Sequence, residues 1–444
     1  MKNTPKPLSE YTKIGFFGIG CSNLSILGSL PDRTEITLRS DVPISARLAG
    51  EVRATRIYEC EHAFDEINEE ILILSPSVRR DRKELAALSA RGVRLTSDAE
   101  LFFDRVTVPV LGVSGSDGKS TTATLADLIL KESDVKSTVT GNVGVPMLSS
   151  LESNAEVYVA ELSSFMLTGF APRTARATLT NITENHLDWH RDMTEYVDAK
   201  LSLLKNTDEP VVNADDPIIS QLAHSAHTVV STLQSEDTLH SRYGSRKYVT
   251  LRDGRIISSN GLSVPPDLIK GFRKHDITNL MHAIALTDGM LTTAGLFRAI
   301  DKFERLPHRA STVGVIGGVR YVDSSIDTTP ERTRTTLISE DEPVILIIGG
   351  RDKGLSLSPI LSARDKIRYF IAQGENRAKV YRELSRYVHG DIADTLRDAV
   401  TLAASIAKVG DTVLLSPAAA SYDAFTDYRE RGDIFKEIVN GIKA

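Results

Sequence analysis

Residues 112–129, GVSGSDGKSTTATLADLI, bring together glycines, an aspartate, a lysine and a run of hydroxyls. Such a set is suited to holding a polyphosphate. Gly115 and Gly118 can take backbone angles closed to other residues, so the amides of Gly115, Ser116, Asp117 and Gly118 can turn inward on an anion. Lys119 brings a mobile positive charge. Ser120 and Thr121 bring hydroxyls, of which Ser120 can reach Mg²⁺, and a helix starting here aims its positive end at the same place. The strict phosphate-loop pattern, G-x-x-x-x-G-K-[ST], requires glycine where this chain has Val113. The looser G-x-x-G-K-S-T also describes an ordinary glycine-rich turn, so its neighbours have to decide.

Three further places could complete a phosphoryl-transfer site. Glu161 ends the apolar run VYVAE, where a carboxylate can hold the Mg²⁺ that accompanies ATP or simply cap a helix. NITENHLDWH gathers Glu184, His186, Asp188 and His190, yet no H-E-x-x-H is present, which excludes a zinc-protease pattern. Lys200, in TEYVDAKLSLL, shares a helical stripe with Tyr196, Leu203 and Leu204. A lysine there either snorkels to solvent or stays buried as a neutral amine. A neutral amine can add CO₂ to give a carbamate, which turns a cation into a metal-binding anion.

These residues need strands that end at a common edge. A chain of 444 residues exceeds one core, and its 41% hydrophobic and 25% charged composition is that of a globular protein with two or three domains. A net charge of −6 gives no reason to expect nucleic-acid or membrane partners. Two cysteines, Cys21 and Cys60, exclude a disulfide framework, and MKNTPKPLSEYTK lacks the apolar stretch of a signal peptide, so a cytoplasmic protein is expected. Strand and helix patterns alternate throughout, which predicts α/β architecture with parallel sheets. The first block holds KIGFFGIG, EITLRS, EILILSPS and RGVRLTS. Its Gly18-x-Gly20 lacks the third glycine of a dinucleotide fingerprint, which is Asn23, and Arg39 stands where a nicotinamide cofactor wants an acid. An arginine there suits NADP, a uridine-type ligand or another phosphate-bearing one. Ser75–Ser77 end a strand at the same edge.

Taken in order, AELSSF, NITENHLDWH, YVDAKLSLL, VVNADD, LPHR, GGRDKG and SPAAASYDAFTDYRERG resemble the motif set of the Mur ligases. Within that family they are most similar to the branch that adds D-glutamate to UDP-N-acetylmuramoyl-L-alanine. The resemblance spans nearly the whole chain. It implies a Rossmann-like UDP-binding domain over 1–105, a P-loop-type ATPase domain over 106–309 and a Rossmann-like amino-acid-binding domain over 310–444. It also implies ATP-dependent amide formation through an acyl phosphate in peptidoglycan precursor synthesis, by a monomer using ATP and two Mg²⁺ ions.

The resemblance assigns roles residue by residue. Lys119 and the loop from Gly115 to Thr121 would hold ATP, with Asn279 and Arg309. Ser120 and Glu161 would bind one Mg²⁺, and His186 with a carboxylated Lys200 the other. Cys21, Ser22, Arg39 and Ser77 would hold the UDP moiety, and Asn142 and Ser163 the muramoyl part. Thr328, Lys353, Ser421 and Tyr428 would bind D-glutamate. The chain departs from the family at VDSSIDTTP, where Ser324 replaces an aspartate and Ile326 a lysine, so Asp323 is expected to shift in toward ATP. Asn185, Met166 and Asp276 also replace residues usual in the family. A sibling ligase adding another amino acid, a non-catalytic nucleotide-binding homologue and an NADP oxidoreductase are the alternatives.

Overall fold

Central strands covered on both faces read as continuous apolar runs, and the first sheet shows why. Its strands are β1 (Lys13–Phe17), β2 (Glu35–Ser40), β3 (Arg56–Glu59), β4 (Ile71–Leu74) and β5 (Arg94–Thr96). They pair in parallel in the order β3-β2-β1-β4-β5. Ile14 and Phe16 enter one apolar cluster, and Phe17 joins Leu72 and Leu74 in another on the opposite face. The strand order reverses at β1. The turn into helix α1 (Cys21–Leu27) and the loop after β4 therefore open on the crevice where such sheets bind ligands. The computed structural model describes residues 6–18, 21–41, 43–44, 52–187, 189–244, 246–304, 307–352 and 354–442. Two compact units divide the chain, residues 1–303 and 304–444.

A second sheet shares the first unit. Its strands are β6 (Val110–Ser114), β7 (Ser137–Gly141), β8 (Val157–Glu161), β9 (Thr174–Leu179), β10 (Thr207–Asn213), β11 (Thr228–Ser231), β12 (Lys247–Arg252), β13 (Arg255–Ser258) and β14 (Ser263–Val264). The order is β14-β13-β12-β11-β10-β9-β6-β8-β7, parallel from β7 to β12. The all-parallel pattern expected for this block stops at β12. Asp253 and Gly254 both take positive φ, and they turn the chain back as an antiparallel hairpin.

Four helices matter for the site. α2 (Lys119–Glu132) begins where Gly118 adopts the left-handed conformation. It buries Leu125, Ala126, Ile129 and Leu130 in one cluster with Leu280, Met281 and Ile284 of α5 (Lys274–Thr287). Each such large side chain contributes roughly 1.5–3 kcal/mol. The short α3 (Ser164–Leu167) follows β8, and α4 (Met193–Lys205) precedes β10. Asp192 caps α4 by accepting the Glu195 amide at 2.8 Å. Tyr196, Ala199, Lys200, Leu203 and Leu204 form its buried stripe, so the periodicity that singled out Lys200 holds.

The second unit carries β15 (Ser311–Ile316), β16 (Val319–Asp323), β17 (Val344–Ile348), β18 (Ile367–Ala372), β19 (Gly390–Ile392) and β20 (Thr412–Leu415). Their order is β15-β16-β20-β17-β18-β19, with only β15 antiparallel. Along β17, Val344, Leu346 and Ile348 face one cluster while Ile345 and Ile347 face the other. Helix α6 (Tyr428–Asn440) closes the unit.

A histidine sits in the core of the second sheet. His282 of α5 is fully buried, its Nδ1 lies 2.8 Å from Thr178 Oγ1, and its Nε2 has no partner. Burial pushes its pKa down to about 4. A histidine whose folded pKa lies below its unfolded value binds more protons when unfolded, so stability falls as pH drops below the unfolded value. From about pH 7.5 to about pH 5 the native state is expected to lose roughly 2 kcal/mol through this residue. Urea midpoints at the two pH values should show a loss about that much larger in the native chain than in His282→Gln, which keeps the depressed His190 and His227.

Candidate active site

Strand register brings the phosphate-loop residues to one edge. Val113 of β6 pairs with Glu161 of β8, and Ser114 with Leu179 of β9. The next residues turn back between the ends of these neighbours. Gly115 has φ +140°, and a side chain there would overlap Thr180 Oγ1. Gly118 has φ +79°, and a side chain there would overlap Asn279 Oδ1. Glycine is required at both places by angle and by space. Ser116 Oγ accepts the Thr183 amide at 2.9 Å and lies 2.7 Å from Tyr196 OH. The Asp117 amide donates to Asn181 Oδ1 at 2.9 Å, and the Asp117 carbonyl accepts from Thr180 Oγ1 and from Asn181 Nδ2. Lys119 Nζ reaches back to the Ser116 carbonyl at 2.8 Å. Ser120 and Thr121 are buried in the first turn of α2. Asn279, from α5, stands beside the turn and accepts Thr122 Oγ1 at 3.3 Å.

The candidate cation ligands lie around this loop. Glu161 is buried, its Oε1 accepts Asn142 Nδ2 at 2.9 Å, and its Oε2 has no hydrogen-bond partner. An orphaned buried carboxylate oxygen is costly unless something positive reaches it. His186 follows β9 in the left-handed region, at φ +57°, with its amide on Asn185 Oδ1 at 2.9 Å. Its ring meets Phe165 edge-on at 4.9 Å between centroids. Lys200 is buried beneath the loop. Its Nζ donates to the Gly115 carbonyl at 2.6 Å and lies 4.7 Å from the centre of the Tyr196 ring. Among the described residues no group of three or more His, Cys, Asp or Glu side chains gathers to hold a metal. A cation beside Glu161 and Ser120 would thus complete its sphere with water and phosphate oxygens, which suits Mg²⁺.

Ser22 in α1, Arg39 at the end of β2 and Ser77 after β4 lie at the carboxyl edge of the first sheet. Asn142 follows β7. Ser163 follows β8, where its Oγ caps α3 by accepting the Met166 amide at 3.2 Å. Cys21 opens α1. Its side chain, Gly20, Asp188 and Lys353 lie outside the described residues.

In the second unit, Asp323 ends β16 and Ser421 lies beyond β20. Thr328 is half-buried, with its amide on the Ile326 carbonyl at 2.8 Å, and Ser421 is buried. Tyr428 opens α6, its ring edge-on to His308 at 6.2 Å. Arg309 is half-buried directly after His308.

The Mur ligase middle domain family matches residues 113–287. A UDP-N-acetylmuramoylalanine–D-glutamate ligase of Ruminiclostridium cellulolyticum is 34% identical over 396 residues, covering 84% of this chain and 83% of that protein. A ligase of the same name from Clostridium botulinum is 30% identical over 455 residues, covering 98% of each chain. The chain belongs to the Mur ligases, in the D-glutamate ligase branch. In fold it is similar to the UDP-N-acetylmuramate-alanine ligase of Thermotoga maritima, at 19% identity and a TM-score of 0.61, over 97% of this chain and 100% of that one.

Two residues of this ligase are not where the motifs suggested. Arg39 does not face a ligand crevice. It is fully buried, with Nε on Glu69 Oε1 at 2.8 Å, Nη1 on the Ala63 and Asp65 carbonyls at 2.9 Å each, and Nη2 2.8 Å from Glu69. Its guanidinium also stacks on Tyr58. Asp323, expected to shift toward ATP, is held inside the second unit. It is fully buried, 2.6 Å from His308 Nδ1, and accepts the Ser325 amide at 2.9 Å.

The family departures are absorbed in packing. Ser324 Oγ accepts the Ala310 amide, Ile326 is buried, and Asp276 Oδ2 caps α5 through the Arg273 amide. One residue that lies inside a motif but was given no role there stands out in the second unit. Arg431 on α6 is fully buried and ties Ser325 Oγ and carbonyl, at 2.9 and 2.8 Å, to the carbonyls of Ala419 and Ala420 at 3.2 Å. It therefore braces the segments leading to Thr328 and Ser421. Its sequence signal was a charge on the same stripe as Phe435 and Ile438.

Arg39→Met leaves Glu69 buried without its partner. A loss of roughly 3–5 kcal/mol in unfolding free energy is expected. Chemical denaturation should show it. A variant of native stability with weakened nucleotide binding would return Arg39 to the ligand.

Proposed function

We propose that this ligase forms the amide bond between the alanine carboxyl of UDP-N-acetylmuramoyl-L-alanine and the amine of D-glutamate, using ATP, in the cytoplasm and as a monomer. The UDP-binding, ATP-binding and amino-acid-binding domains would correspond to residues 1–105, 106–309 and 310–444. The observation that carries the reading is the loop of residues 115–120 set beside a buried Glu161 with an orphaned oxygen, in a chain that belongs to the D-glutamate ligase branch. No helix among the described residues is long and apolar enough to cross a membrane.

A substrate carboxylate oxygen attacks the γ-phosphorus of ATP, the bond to the bridging oxygen breaks, and ADP leaves. The D-glutamate nitrogen, after losing a proton, attacks the carbonyl carbon of the acyl phosphate. Collapse of the tetrahedral species expels inorganic phosphate. Lys119 would swing from the Ser116 carbonyl onto the β- and γ-phosphates and offset their charge as it builds. The amino end of α2 would add its dipole there. Asn279 would flank the nucleotide. Asn142, which holds Glu161 Oε1, and Ser163 would orient the muramoyl end, and Ser22 and Ser77 the uridine diphosphate. Thr328, Lys353, Ser421 and Tyr428 would hold D-glutamate, with Arg309 on ATP.

Glu161 and Ser120 would hold one Mg²⁺, and His186 with a carboxylated Lys200 a second. Bound Mg²⁺ shields phosphate charge and orients the transferred group. Carboxylation would convert Lys200 Nζ from a donor to the Gly115 carbonyl into an anion on the same stem.

Phosphate release by the purified chain with ATP, Mg²⁺ and UDP-N-acetylmuramoyl-L-alanine tests the reading. D-glutamate should drive release, with L-alanine, L-lysine and meso-diaminopimelate at background. Release driven by one of those instead would move the chain to a sibling specificity. Lys119→Ala should lower turnover roughly 10²–10³-fold.

Lys200→Ala should be inactive, and small carboxylates in the buffer should partly restore it. A folded Lys200→Ala that no carboxylate revives would leave Lys200 as a purely structural amine.

A further inference from the structure

Two loops that this reaction has to coordinate meet at one arginine. Arg79 lies two residues beyond Ser77, at the carboxyl edge of the first sheet, and its guanidinium points to the second. Nη1 donates to the Trp189 carbonyl at 2.7 Å, and Nη1 and Nη2 grip the two oxygens of Glu195 at 3.1 and 2.8 Å. Nε and Nη2 hold Asp81, a neighbour in its own loop, at 3.0 and 2.7 Å. The guanidinium also lies over the Trp189 ring, 5.0 Å from its centre. In the opposite direction, Trp189 Nε1 donates to the Ser77 carbonyl at 2.8 Å. Each loop thus holds the main chain of the other.

The far side of this contact leads into the candidate active site. The amides of Trp189 and His190 both donate to the His186 carbonyl, at 3.1 and 2.9 Å, closing the turn that His186 opens. Phe165 packs against the rings of His186, Trp189 and His190. Glu195 sits in the first turn of α4, next to Tyr196, whose hydroxyl meets Ser116, and five residues before Lys200 under Gly115. Arg79 therefore grips both the turn that presents His186 and the start of the helix that presents Lys200. An isolated exposed ion pair would do little. This one is largely buried, with side-chain exposures of 23% for Arg79 and 14% for Glu195, and it is bidentate.

We propose that Arg79 is a positioning residue that couples occupancy of the nucleotide-substrate loop at Ser77 to the placement of His186 and α4 beneath the phosphate loop. The inference rests on the reading of Ser77 as part of the UDP-substrate site. Movement of the 75–79 loop onto a bound ligand is transmitted to Trp189 and Glu195 by hydrogen bonds at both ends. Linkage makes the effect reciprocal, so ATP bound at the far end tightens or loosens the nucleotide substrate by the same factor.

Calorimetry on the full chain measures that factor. The affinity of a non-hydrolysable ATP analogue with Mg²⁺ is determined without and with saturating UDP-N-acetylmuramoyl-L-alanine. The native chain should show a change of at least ~5-fold. In Arg79→Met the change should fall to within about twofold of none, with each ligand alone still bound. Trp189 is the only tryptophan of the chain, so its emission gives a second readout. The nucleotide substrate should shift it in the native chain and shift it less in Arg79→Met. Arg79→Lys keeps the charge, but its single nitrogen cannot hold both Glu195 oxygens, Asp81 and the Trp189 carbonyl at once, and it should lose most of the coupling. It also serves if Arg79→Met fails to fold. No coupling in the native chain, or undiminished coupling in the folded variants, would overturn the proposal. A native chain that does not bind the UDP compound at all would instead overturn the reading of the site, and the coupling with it.

Discussion

The turn at residues 115–118 meets Thr180 at Gly115 and Asn279 at Gly118, with room at those two points for backbone and nothing more. That closeness governs the site. The amides of Ser116 and Asp117, expected to turn inward on an anion, instead donate to the carbonyl and Oδ1 of Asn181, at 2.8 and 2.9 Å, and pin the turn to its wall. The walls come from separate parts of the chain. Thr180 ends the path of β9, and Asn279 rides on α5, which is locked to α2 by the core of the second sheet. Packing far from the loop therefore sets its shape, and the loop's position in turn fixes where α2 begins and where its dipole points.

The same wedge explains the buried lysine. α4 places Lys200 on its apolar stripe, where the amine has to find polar atoms inside the protein. It finds the carbonyl of Gly115, the residue that the wedge leaves without a side chain. Tyr196, one turn earlier, supplies a ring face and sends its hydroxyl to Ser116. Helix and loop thus define each other through two residues on one stripe. An amine in that place fastens α4 to the loop through the Gly115 carbonyl.

Much of this was legible because it is local. The glycine spacing, the lysine after it and the apolar strand before it lie within a dozen residues, and their chemistry follows from their order. The stripe through Tyr196, Lys200, Leu203 and Leu204 was equally plain from helical periodicity. What failed to show was direction. Arg39 and Asp323 both lie at strand ends, and a strand end faces both a crevice and a core. Arg39 turns to Glu69, thirty residues on, and Asp323 to His308. The hairpin at Asp253-Gly254 was different, because its signal is local: Asp-Gly between two short apolar runs marks an antiparallel turn, and the repeated parallel pattern around it masked that signal. Arg79 and Arg431 escaped notice because the segments they tie in, at Glu195 and Ser325, lie 116 and 106 residues away.

These two hidden arginines share a design. Each reaches from one segment to the main chain of another, and each donates to carbonyls as well as to a side chain. Guanidinium is suited to this because its planar fork carries five donors in fixed directions and keeps its charge even when buried. A lysine in either position would satisfy one acceptor well and leave the others dependent on its rotation. The segments so joined are ones whose own sequences contain little to fix their shape. Residues 75–79 and 186–190 are loops on different sheets, and residues 324–328 and 419–421 are loops on different strands of one sheet. Hydrophobic burial holds the sheets of this ligase, and at the loops on their carboxyl edges it is joined by polar contacts. There, directional bonds from buried cations take over the task of setting one loop against another, and substrate-binding positions can be arranged only as well as those bonds allow.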